Sequence, residues 1–452
     1  MKSLKNRKIS ISKPKFSDNK KSFYITTLGC PKNTADSRSM RESLIREGFF
    51  PADNPENSNF HLINSCTFIK GATKETIETI LEAGEIKKKE KDQKLVVVGC
   101  FAERYPDEIK KEIPEVDYVF GTGQYDKAGL LLKEKFSKDL KVFTRFEDEL
   151  FIRESESDAQ TPHAFIKISD GCNRGCSFCI IPKLRGSFRE VSLFEILEDC
   201  KKMLNKGAIE LCLVSQDSVF YGKNTEILMD TIQKITDLDK LKLLRLLYLY
   251  PDKKTEKLLD LVIQNEKIAP YFESPIQHVS DKILKSMNRT GSYSFYKNLF
   301  LKARQKSGLE IRTSIILGFP GETTEDVDLV LKFIEEVKPE KLALFSFSPE
   351  EDTPAYNLPR NISGKEVSHR VNLVRDFHLE ILKKIHQERI GKIFDAIVSE
   401  KEDENFLVRR FQDAPEIDEI VFVDKKDLKL GQIGKVRIDS FSEYDMEGTW
   451  IQ

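Results

Sequence analysis

The first third of the chain alternates short apolar runs with longer amphipathic stretches. Helical spacing is clearest in Ser39–Glu47 and in Ala72–Lys91, which has an exposed Lys/Glu face. Strands separated by helices are typical of a parallel α/β sheet, so we expect an N-terminal α/β domain. The predicted strands are Phe23–Leu28, Phe60–Asn64, Lys94–Val98 and Tyr118–Phe120.

The same alternation resumes at His163 and continues to about His386. Segments such as Leu193–Asn205 and Thr324–Val337 have the apolar spacing of helices. Six strand–helix units fit a partial (β/α)6 barrel better than a complete barrel of eight. The candidate strands are Ala164–Ile168, Glu210–Val214, Leu243–Tyr248, Phe272–Ser274, Arg312–Leu317 and Leu342–Phe347.

Near Glu388 the helical pattern stops, and short strand-like runs follow one another with turns between them. This pattern predicts a small C-terminal β-barrel. The predicted strands are Phe394–Val398, Phe406–Arg410, Glu419–Val423 and Lys435–Asp439. The expected organisation is a basic tail at 1–21, domains at 22–138, 163–387 and 388–452, and a polar linker at 139–162.

Composition narrows the class of protein. The chain has 452 residues, of which 39% are hydrophobic and 33% charged, with a net charge of −1. We expect no spanning helix, because no run of about 18 apolar residues occurs, and we expect a cytoplasmic protein. Residues 1–22 carry eight Lys or Arg against one Asp. This segment is either a solvated tail, a basic arm that touches nucleic acid or, less favoured, an organelle presequence.

Eight cysteines are too few for a disulfide scaffold and are better explained as thiols or metal ligands. The strongest motif is Cys172-x3-Cys176-x2-Cys179, directly after a predicted strand. Thiolates suit zinc or an iron–sulfur cluster, and flanking glycines permit tight turns. Three thiolates on a 4Fe–4S cube leave one iron open to a small molecule. A zinc ion completed by His163 or His278 is the alternative.

Three further cysteines each follow a predicted strand of the first domain: Cys30, Cys66 and Cys100. The carboxyl ends of parallel strands share one edge of a sheet, so these cysteines can converge into a second cluster site. Each one alone could instead be a buried free thiol. Cys200, in a helical pattern, and Cys212, inside a strand, are predicted to lie in the core.

Polar residues also collect at the predicted strand ends of the barrel, where such folds bind ligands. Each residue could equally belong to an ordinary loop or turn. The candidate cofactor contacts are Ser215, Gln216, Glu273, Gln277, Arg312 and Gly318.

These motifs together carry a resemblance to a known family. The cysteine loop on a partial barrel resembles that of radical S-adenosylmethionine enzymes, the N-terminal three-cysteine domain resembles that of the methylthiotransferases, and the C-terminal barrel resembles a TRAM domain. Within the methylthiotransferases, the string Asp413–Asp418 favours the branch that modifies a ribosomal protein. At Glu273-Ser274 the chain departs from its relatives, which tend to carry Asp and an aliphatic residue. The other supporting strings are Leu28–Asn33, Lys167–Cys172, Cys179–Pro182 and Glu443–Asp445.

The resemblance implies two 4Fe–4S clusters and S-adenosylmethionine as cofactors. Cys172, Cys176 and Cys179 would hold the cluster that binds S-adenosylmethionine, and the other three cysteines would hold the cluster that donates sulfur. No catalytic residue is assigned beyond these ligands. The product would be a β-methylthio-aspartate in small-subunit ribosomal protein S12. We further expect a monomer, a reduced flavodoxin- or ferredoxin-type electron donor, no membrane contact and possible ribosomal RNA contact through the basic tail.

Two alternatives stay open at this stage. A MiaB-like enzyme would methylthiolate an adenosine of tRNA, and a non-enzymatic zinc or iron–sulfur module would only bind the ribosome. From Gly391 to the end there are fifteen acidic and nine basic residues, a net charge of −6. RNA binding draws on a basic surface, so this charge favours a basic ribosomal protein as the substrate.

Overall fold

The computed structural model describes residues 21–90, 92–133, 141–143, 161–402, 405–425, 427–442 and 445–451. The basic tail up to residue 20, most of the expected linker, and Glu443 and Tyr444 lie outside the described residues. Within the described part, no helix combines the length and the apolar character needed to cross a membrane.

The N-terminal domain is a six-stranded parallel sheet in the order β2-β1-β3-β4-β5-β6. Its strands are β1 (Ser22–Thr27), β2 (Phe50–Pro51), β3 (Phe60–Ser65), β4 (Lys94–Gly99), β5 (Tyr118–Phe120) and β6 (Lys141–Phe143). Its helices are α1 (Pro31–Arg46), α2 (Lys70–Lys89), α3 (Cys100–Arg104), α4 (Pro106–Glu112) and α5 (Ala128–Lys133), with 3-10 turns at Pro55–Asn57 and Tyr125–Lys127.

The four predicted strands of this domain are present, each within one residue at either end. β2 and β6 were not predicted, and β6 extends the sheet into the segment expected to be a linker. Helix α1 begins eight residues before the helical pattern suggested, because Pro31 occupies its first turn and Cys30 is its N-cap. Proline fits that position, where a missing N–H costs no hydrogen bond.

The central domain is a partial barrel of six parallel strands. Two three-stranded sheets, β11-β10-β7 and β12-β13-β14, meet through a bridge between Leu244 and Ile268. The strands are β7 (His163–Lys167), β10 (Glu210–Val214), β11 (Leu243–Leu246), β12 (Tyr271–Glu273), β13 (Glu310–Leu317) and β14 (Lys341–Ser346), and a small hairpin pairs β8 (Ser169–Asp170) with β9 (Arg189–Glu190). All six predicted barrel strands are confirmed, with ends shifted by up to two residues.

Helices cover the outside of this barrel. Helix α7 begins with a reciprocal cap between Ser192 and Glu195, which satisfies two free N–H groups of its first turn. The helices are α6 (Ile181–Arg185), α7 (Leu193–Asn205), α8 (Thr225–Thr236), α9 (Lys253–Gln264), α10 (Asp281–Ser286), α11 (Tyr293–Ala303) and α12 (Thr324–Val337), with 3-10 turns at Ser218–Phe220 and Pro354–Asn357.

The inner face of the barrel is filled by parts of all three domains. Successive strand residues point to opposite faces, so Ile166 packs under the helices while Phe165 faces inward. The inward cluster includes Ala35 of α1 and both Ile397 and Ala414 of the C-terminal domain. The barrel core is therefore completed by its two neighbours.

Helix α13 (Gly364–Arg389) leads into a closed five-stranded C-terminal barrel in the order β15-β16-β17-β19-β18. The four predicted strands are present, although the third begins two residues later than expected. The fifth strand, β19, was not predicted. The strands are β15 (Ile393–Glu402), β16 (Asn405–Arg410), β17 (Val421–Val423), β18 (Ile433–Phe441) and β19 (Met446–Trp450).

Candidate functional site

The loop that carries Cys172, Cys176 and Cys179 follows β8 and ends at α6. Gly171 starts it with φ +73°, and a Cβ at this position would lie 2.1 Å from the carbonyl oxygen of Ser187. Only glycine accepts both that dihedral angle and that approach. Backbone hydrogen bonds fix the loop, including Cys172 N to Gly186 O at 3.3 Å and Cys179 N to Cys176 O at 3.1 Å. All three thiols are half-buried.

The three thiols of this loop influence one another electrostatically. Burial raises the pKa of Cys179 to about 12, and charge on Cys176 and Cys172 would raise it further. Burial likewise raises the pKa of Cys172. Cations oppose these rises, Lys32 at Cys179 and Arg174 at Cys172. A further cation contacts the third thiol, because Arg289 Nη1 lies 3.6 Å from Cys176 Sγ. Thiols in such a site keep their protons until a metal displaces them.

The second cysteine set lies at neighbouring strand ends of the N-terminal sheet. Cys30 is the N-cap of α1 after β1, Cys66 follows β3, and Cys100 is the first residue of α3 after β4. A Cβ at Gly29 would lie 2.9 Å from Cys66 Cβ, so a glycine here lets Cys66 sit against the Cys30 turn. Burial raises the pKa of Cys66 to about 12, and Cys100 and Cys30 add to that rise.

The structure therefore brings each set of three cysteines together, and it buries Cys200 and Cys212 in the core as the sequence suggested. Among the described residues, no three His, Cys, Asp or Glu side chains have the spacing of a single bound metal ion. A four-iron cube holds its thiolates farther apart than one ion does, because each thiolate binds a different iron. The donor type and number fit such a cluster.

Helix α6 joins the two cysteine sets. It directly follows Cys179, and its residue Leu184 packs with Ile180 against Cys100. Arg185 Nη2 lies 3.7 Å from Cys100 Sγ and donates a hydrogen bond to Asn33 Oδ1 at 2.9 Å. The two sets thus lie at one junction between the N-terminal sheet and the barrel, which we call the crevice.

Buried ion pairs hold this junction together. Asp36 of α1 pairs with Arg185 at 2.8 Å and with Lys167. Burial acts to raise the pKa of Asp170, but Lys167 and Arg185 outweigh it and keep that pKa well below its usual range. Because these groups are buried, losing one partner would leave another charge unpaired at high cost.

Four of the predicted cofactor contacts lie at barrel strand ends near this crevice. Ser215 Oγ is 3.2 Å from Ser218 Oγ, and Glu273 Oε2 accepts a hydrogen bond from Tyr248 N at 2.9 Å. The side-chain oxygens of Gln216 and Gln277 are buried without a partner among the described residues. Unpaired buried oxygens are costly, and a polar ligand would satisfy them.

The other two predicted contacts have structural partners. Arg312 Nη1 donates to Asp418 Oδ1 of the C-terminal domain at 2.6 Å. The N–H of Gly318 donates to the Glu322 carboxylate at 3.0 Å, and a Cβ at Gly318 would lie 2.5 Å from Val367 Cγ2 in α13. Their contact with a cofactor stays a prediction.

The two histidines of the zinc alternative lie in other environments. His163 Nε2 is 3.2 Å from Glu416 Oε1. His278 accepts a hydrogen bond at Nδ1 from Ser280 N, and its Nε2 is 3.3 Å from Glu322. Both imidazoles are thus oriented by carboxylates or backbone.

Sequence reasoning missed a stack of arginine side chains on a tyrosine ring beside the loop that carries Cys172, Cys176 and Cys179. Arg174 lies between Cys172 and Cys176 in sequence and pairs with Asp217 at 2.5 Å. Its guanidinium lies 3.9 Å from the ring centroid of Tyr250, and that of Arg289 lies 4.4 Å from the same ring. The position of Arg174 inside the cysteine motif was the one available signal.

Comparisons with known proteins cover the same three domains. Residues 22–121 match an uncharacterized protein family, UPF0004; residues 166–334 match the radical SAM superfamily; and residues 390–451 match the TRAM domain. Among solved structures, the radical S-adenosylmethionine methyltransferase TsrM from Kitasatospora setae is similar with a TM-score of 0.53 at 13% identity, covering 74% of this chain and 77% of that one. This likeness concerns the fold alone.

Whole-chain relatives are much closer in sequence. The chain is 58% identical over 436 residues to the ribosomal protein uS12 methylthiotransferase RimO of Leptospira biflexa serovar Patoc, covering 95% of this chain and 97% of that protein. Proteins of the same name from Petrotoga mobilis and Aquifex aeolicus are 36% and 37% identical, with 96% and 94% of this chain and 100% and 96% of theirs covered. At such identity over nearly the full length, the chain belongs to the RimO family of ribosomal protein uS12 methylthiotransferases.

Proposed function

We propose that this protein adds a methylthio group to the β-carbon of an aspartate in ribosomal protein S12 (uS12). The observation that carries the proposal is the pair of three-cysteine sets facing one crevice. One set lies on a radical SAM barrel and the other on the sheet that the methylthiotransferase relatives share. A single set could serve a simpler radical enzyme, whereas two sets meet the need for both a radical and a sulfur source.

Cys172, Cys176 and Cys179 would hold one 4Fe–4S cluster together with S-adenosylmethionine, and Cys30, Cys66 and Cys100 would hold the other. When bound, the first cluster would supply a carbon radical that removes the β-hydrogen atom, using an electron from a flavodoxin- or ferredoxin-type protein. The second cluster and a second S-adenosylmethionine would supply the sulfur and the methyl group that replace this hydrogen.

The chain's own residues shape and charge the crevice. Arg289, close to Cys176, and Arg185, close to Cys100, each place a guanidinium beside one cysteine set, where it offsets the negative charge of the thiolates. Gln216 and Gln277 offer unpaired oxygens to a polar ligand such as S-adenosylmethionine. The packing of α6 against the N-terminal domain fixes the separation of the two sets.

The acidic C-terminal domain suits a basic protein partner better than RNA. A ribosomal substrate would require the enzyme to work in the cytoplasm, where the chain would act as a monomer. The basic tail would add contact with ribosomal RNA when the substrate is the assembled subunit.

Mass spectrometry after anaerobic incubation tests the proposal. Purified enzyme with S-adenosylmethionine and a reductant should add one methylthio group to a single aspartate of S12 and leave tRNA unchanged. Enzyme with Cys176→Ala is the matched control and should give no product. A thiomethyl adduct on tRNA alone would instead establish a MiaB-like activity.

Metal analysis separates the enzyme from a non-enzymatic module. Two intact clusters predict a brown protein with about eight irons per chain. Colourless protein with stoichiometric zinc after anaerobic purification would favour a ribosome-binding scaffold.

A further inference from the structure

Lys32 places a cation at the boundary between the two cysteine sets. It follows Pro31 in the first turn of α1, two residues after Cys30, and it is half-buried. Its Nζ lies 3.4 Å from the centroid of the ring of Tyr248, two residues after barrel strand β11. Lys32 therefore spans the crevice from the N-terminal domain to the barrel.

The surface under this cation is held rigidly. Tyr248 has φ +60°, a conformation that costs a non-glycine residue about 1–2 kcal/mol. Two hydrogen bonds maintain it: Tyr248 N donates to Glu273 Oε2 at 2.9 Å, and Ser218 N donates to Tyr248 O at 3.1 Å. A strained residue kept in place by its surroundings is common where a ligand must be positioned.

The charge of Lys32 acts on the barrel side of the crevice. It opposes the burial that raises the pKa of Glu273. On the other side, charge on Cys30 adds to the burial that raises the pKa of Tyr248. Lys32 thus lies two residues from Cys30 on the N-terminal side and against the Tyr248 ring on the barrel side.

Unlike the neighbouring cations, Lys32 has no carboxylate at salt-bridge distance among the described residues, although its charge acts on Glu273. Arg174 pairs with Asp217 and Asp252, and Arg185 pairs with Asp36. No hydrogen bond or ion pair of Lys32 occurs within the described part of the chain, where its contact is the face of an aromatic ring. A half-buried ammonium with only that contact is ready to bind a carboxylate.

We propose that Lys32 binds the side-chain carboxylate of the substrate aspartate and so selects aspartate over neutral side chains. This inference rests on the proposed function. The carboxylate carbon of aspartate is bonded directly to the β-carbon, so an ion pair at Lys32 would hold the reacting carbon next to the bound carboxylate. The location between the cysteine sets puts that carbon within reach of both the hydrogen abstraction and the sulfur transfer.

The test compares Lys32→Met, which keeps length and removes charge, with Lys32→Arg, which keeps charge. Lys21→Met is the matched control, because Lys21 also lies over an aromatic ring, that of Phe60, but at the start of β1. We expect Lys32→Met to lower kcat/KM for S12 roughly 10- to 100-fold, mainly through KM, and Lys32→Arg to recover part of it. Lys21→Met should match wild type in iron content, in S-adenosylmethionine cleavage and in kcat/KM for S12.

A binding titration makes the inference testable without turnover. Wild-type enzyme should bind S12 more tightly than S12 whose target aspartate is replaced by asparagine, and Lys32→Met should bind the two alike. Equal affinities of wild type for the two forms of S12 would overturn the inference, as would a Lys32→Met variant that keeps the wild-type preference for aspartate. A wild-type enzyme that cleaves S-adenosylmethionine but never modifies S12 would instead refute the proposed function.

Discussion

Alanine substitutions at two glycines of the cysteine loop distinguish the effect of backbone strain from that of a steric clash. Gly171 and Gly175 have φ of +73° and +68°, so alanine is strained by about 1–2 kcal/mol at either position. At Gly171 the new methyl would also meet Ser187 O at 2.1 Å, whereas at Gly175 the nearest atom is Asn288 Nδ2 at 3.4 Å. Gly171→Ala should therefore displace the loop, removing about half of the bound iron and most cofactor cleavage, while Gly175→Ala should retain most of both. Similar iron loss in the two variants would show that strain, not the contact with Ser187, dominates.

The six clustered cysteines should divide between two tasks. Cys176→Ala should abolish cleavage of S-adenosylmethionine to 5′-deoxyadenosine, because Cys176 belongs to the cysteine set on the radical SAM barrel. Cys66→Ala should retain some of this cleavage but yield no methylthiolated S12. Cys200→Ala, fully buried in the core, is the control for removing a thiol without touching either set. Equal loss of cleavage in Cys176→Ala and Cys66→Ala, with folded protein, would require new assignments.

At the residue scale, the sequence was most informative where spacing is local. Cys172, Cys176 and Cys179 fall within eight residues, and the other three cysteines each end a recognisable strand. Lys32 carried no such signal, because its platform, Tyr248, is more than two hundred residues away and neither residue belongs to a chemical motif by itself. Only the folded chain brings them together.

A buried ion network connects barrel strand β13 to the C-terminal domain. Glu310 pairs with Lys341 at 2.5 Å, Arg389 at 2.6 Å and Arg410 at 2.9 Å. Asp413, from the string that suggested the ribosomal branch, pairs with Arg410 at 2.7 Å. Part of that string therefore has a structural role, because Asp413 connects the C-terminal domain through Arg410 to Glu310 of the central barrel.

This network predicts an acid-dependent loss of stability. Burial alone would raise the pKa of Glu310, but Arg410, Lys341 and Arg389 outweigh burial and lower it below its usual 4.5. The resulting stabilisation is present above about pH 4.5 and is lost as the pH falls below that value. In Glu310→Gln this part of the pH dependence should vanish, and the free energy of unfolding should fall by about 3–5 kcal/mol. Denaturant titrations between pH 3 and pH 7 measure both effects.

Glu198→Gln is the control for Glu310→Gln, because Glu198 pairs with Lys201 while both side chains are about half exposed. An exposed ion pair of this kind contributes about 0–1 kcal/mol to the free energy of unfolding. A Glu310→Gln loss no larger than that of the control would mean that the buried network contributes little.

At the element scale, the strength of the apolar pattern decided what could be predicted. Strands with a run of apolar residues, such as β4 and even the three-residue β5, were found nearly to the residue, as were helices with full periodicity, such as α7. β2 has only two residues, and β6 lies in a segment whose polar and acidic composition indicated a linker. β19 contains Gly448 at its centre, and glycine weakens a strand signal. These strands form because a neighbouring strand offers its backbone hydrogen-bonding groups, and that neighbour is in place only once the chain has folded.

At the scale of the whole molecule, three domains combine to make one site. The barrel supplies one cysteine set, the N-terminal sheet supplies the other, and residues of both outer domains fill the barrel interior. The sequence predicted the three folds and their order but not this shared core. We therefore expect the barrel to be unstable alone, whatever the domain boundaries.

The charge distribution of the whole chain predicts how S12 is captured. The net charge is −1, yet the segment from Gly391 onward has an acid excess of six, and Glu400, Asp424 and Asp427 lie exposed on it. Such a surface attracts a basic protein over a distance comparable to the Debye length, which speeds association at low salt. Replacing these three residues by Gln, Asn and Asn should slow association with S12 several-fold and flatten its salt dependence, as stopped-flow or surface-binding kinetics would measure.

The matched control removes three exposed carboxylates from the barrel helices instead: Glu226, Asp230 and Asp260. Both triple variants change the net charge by the same amount, so only the position of the charge differs. If the C-terminal domain guides the substrate, the control should associate almost as fast as wild type. Equal slowing in both variants would show that net charge alone attracts S12, and no slowing in either would remove the electrostatic argument for a protein substrate. The dissociation rate should change little throughout, because exposed charges act mainly on the encounter.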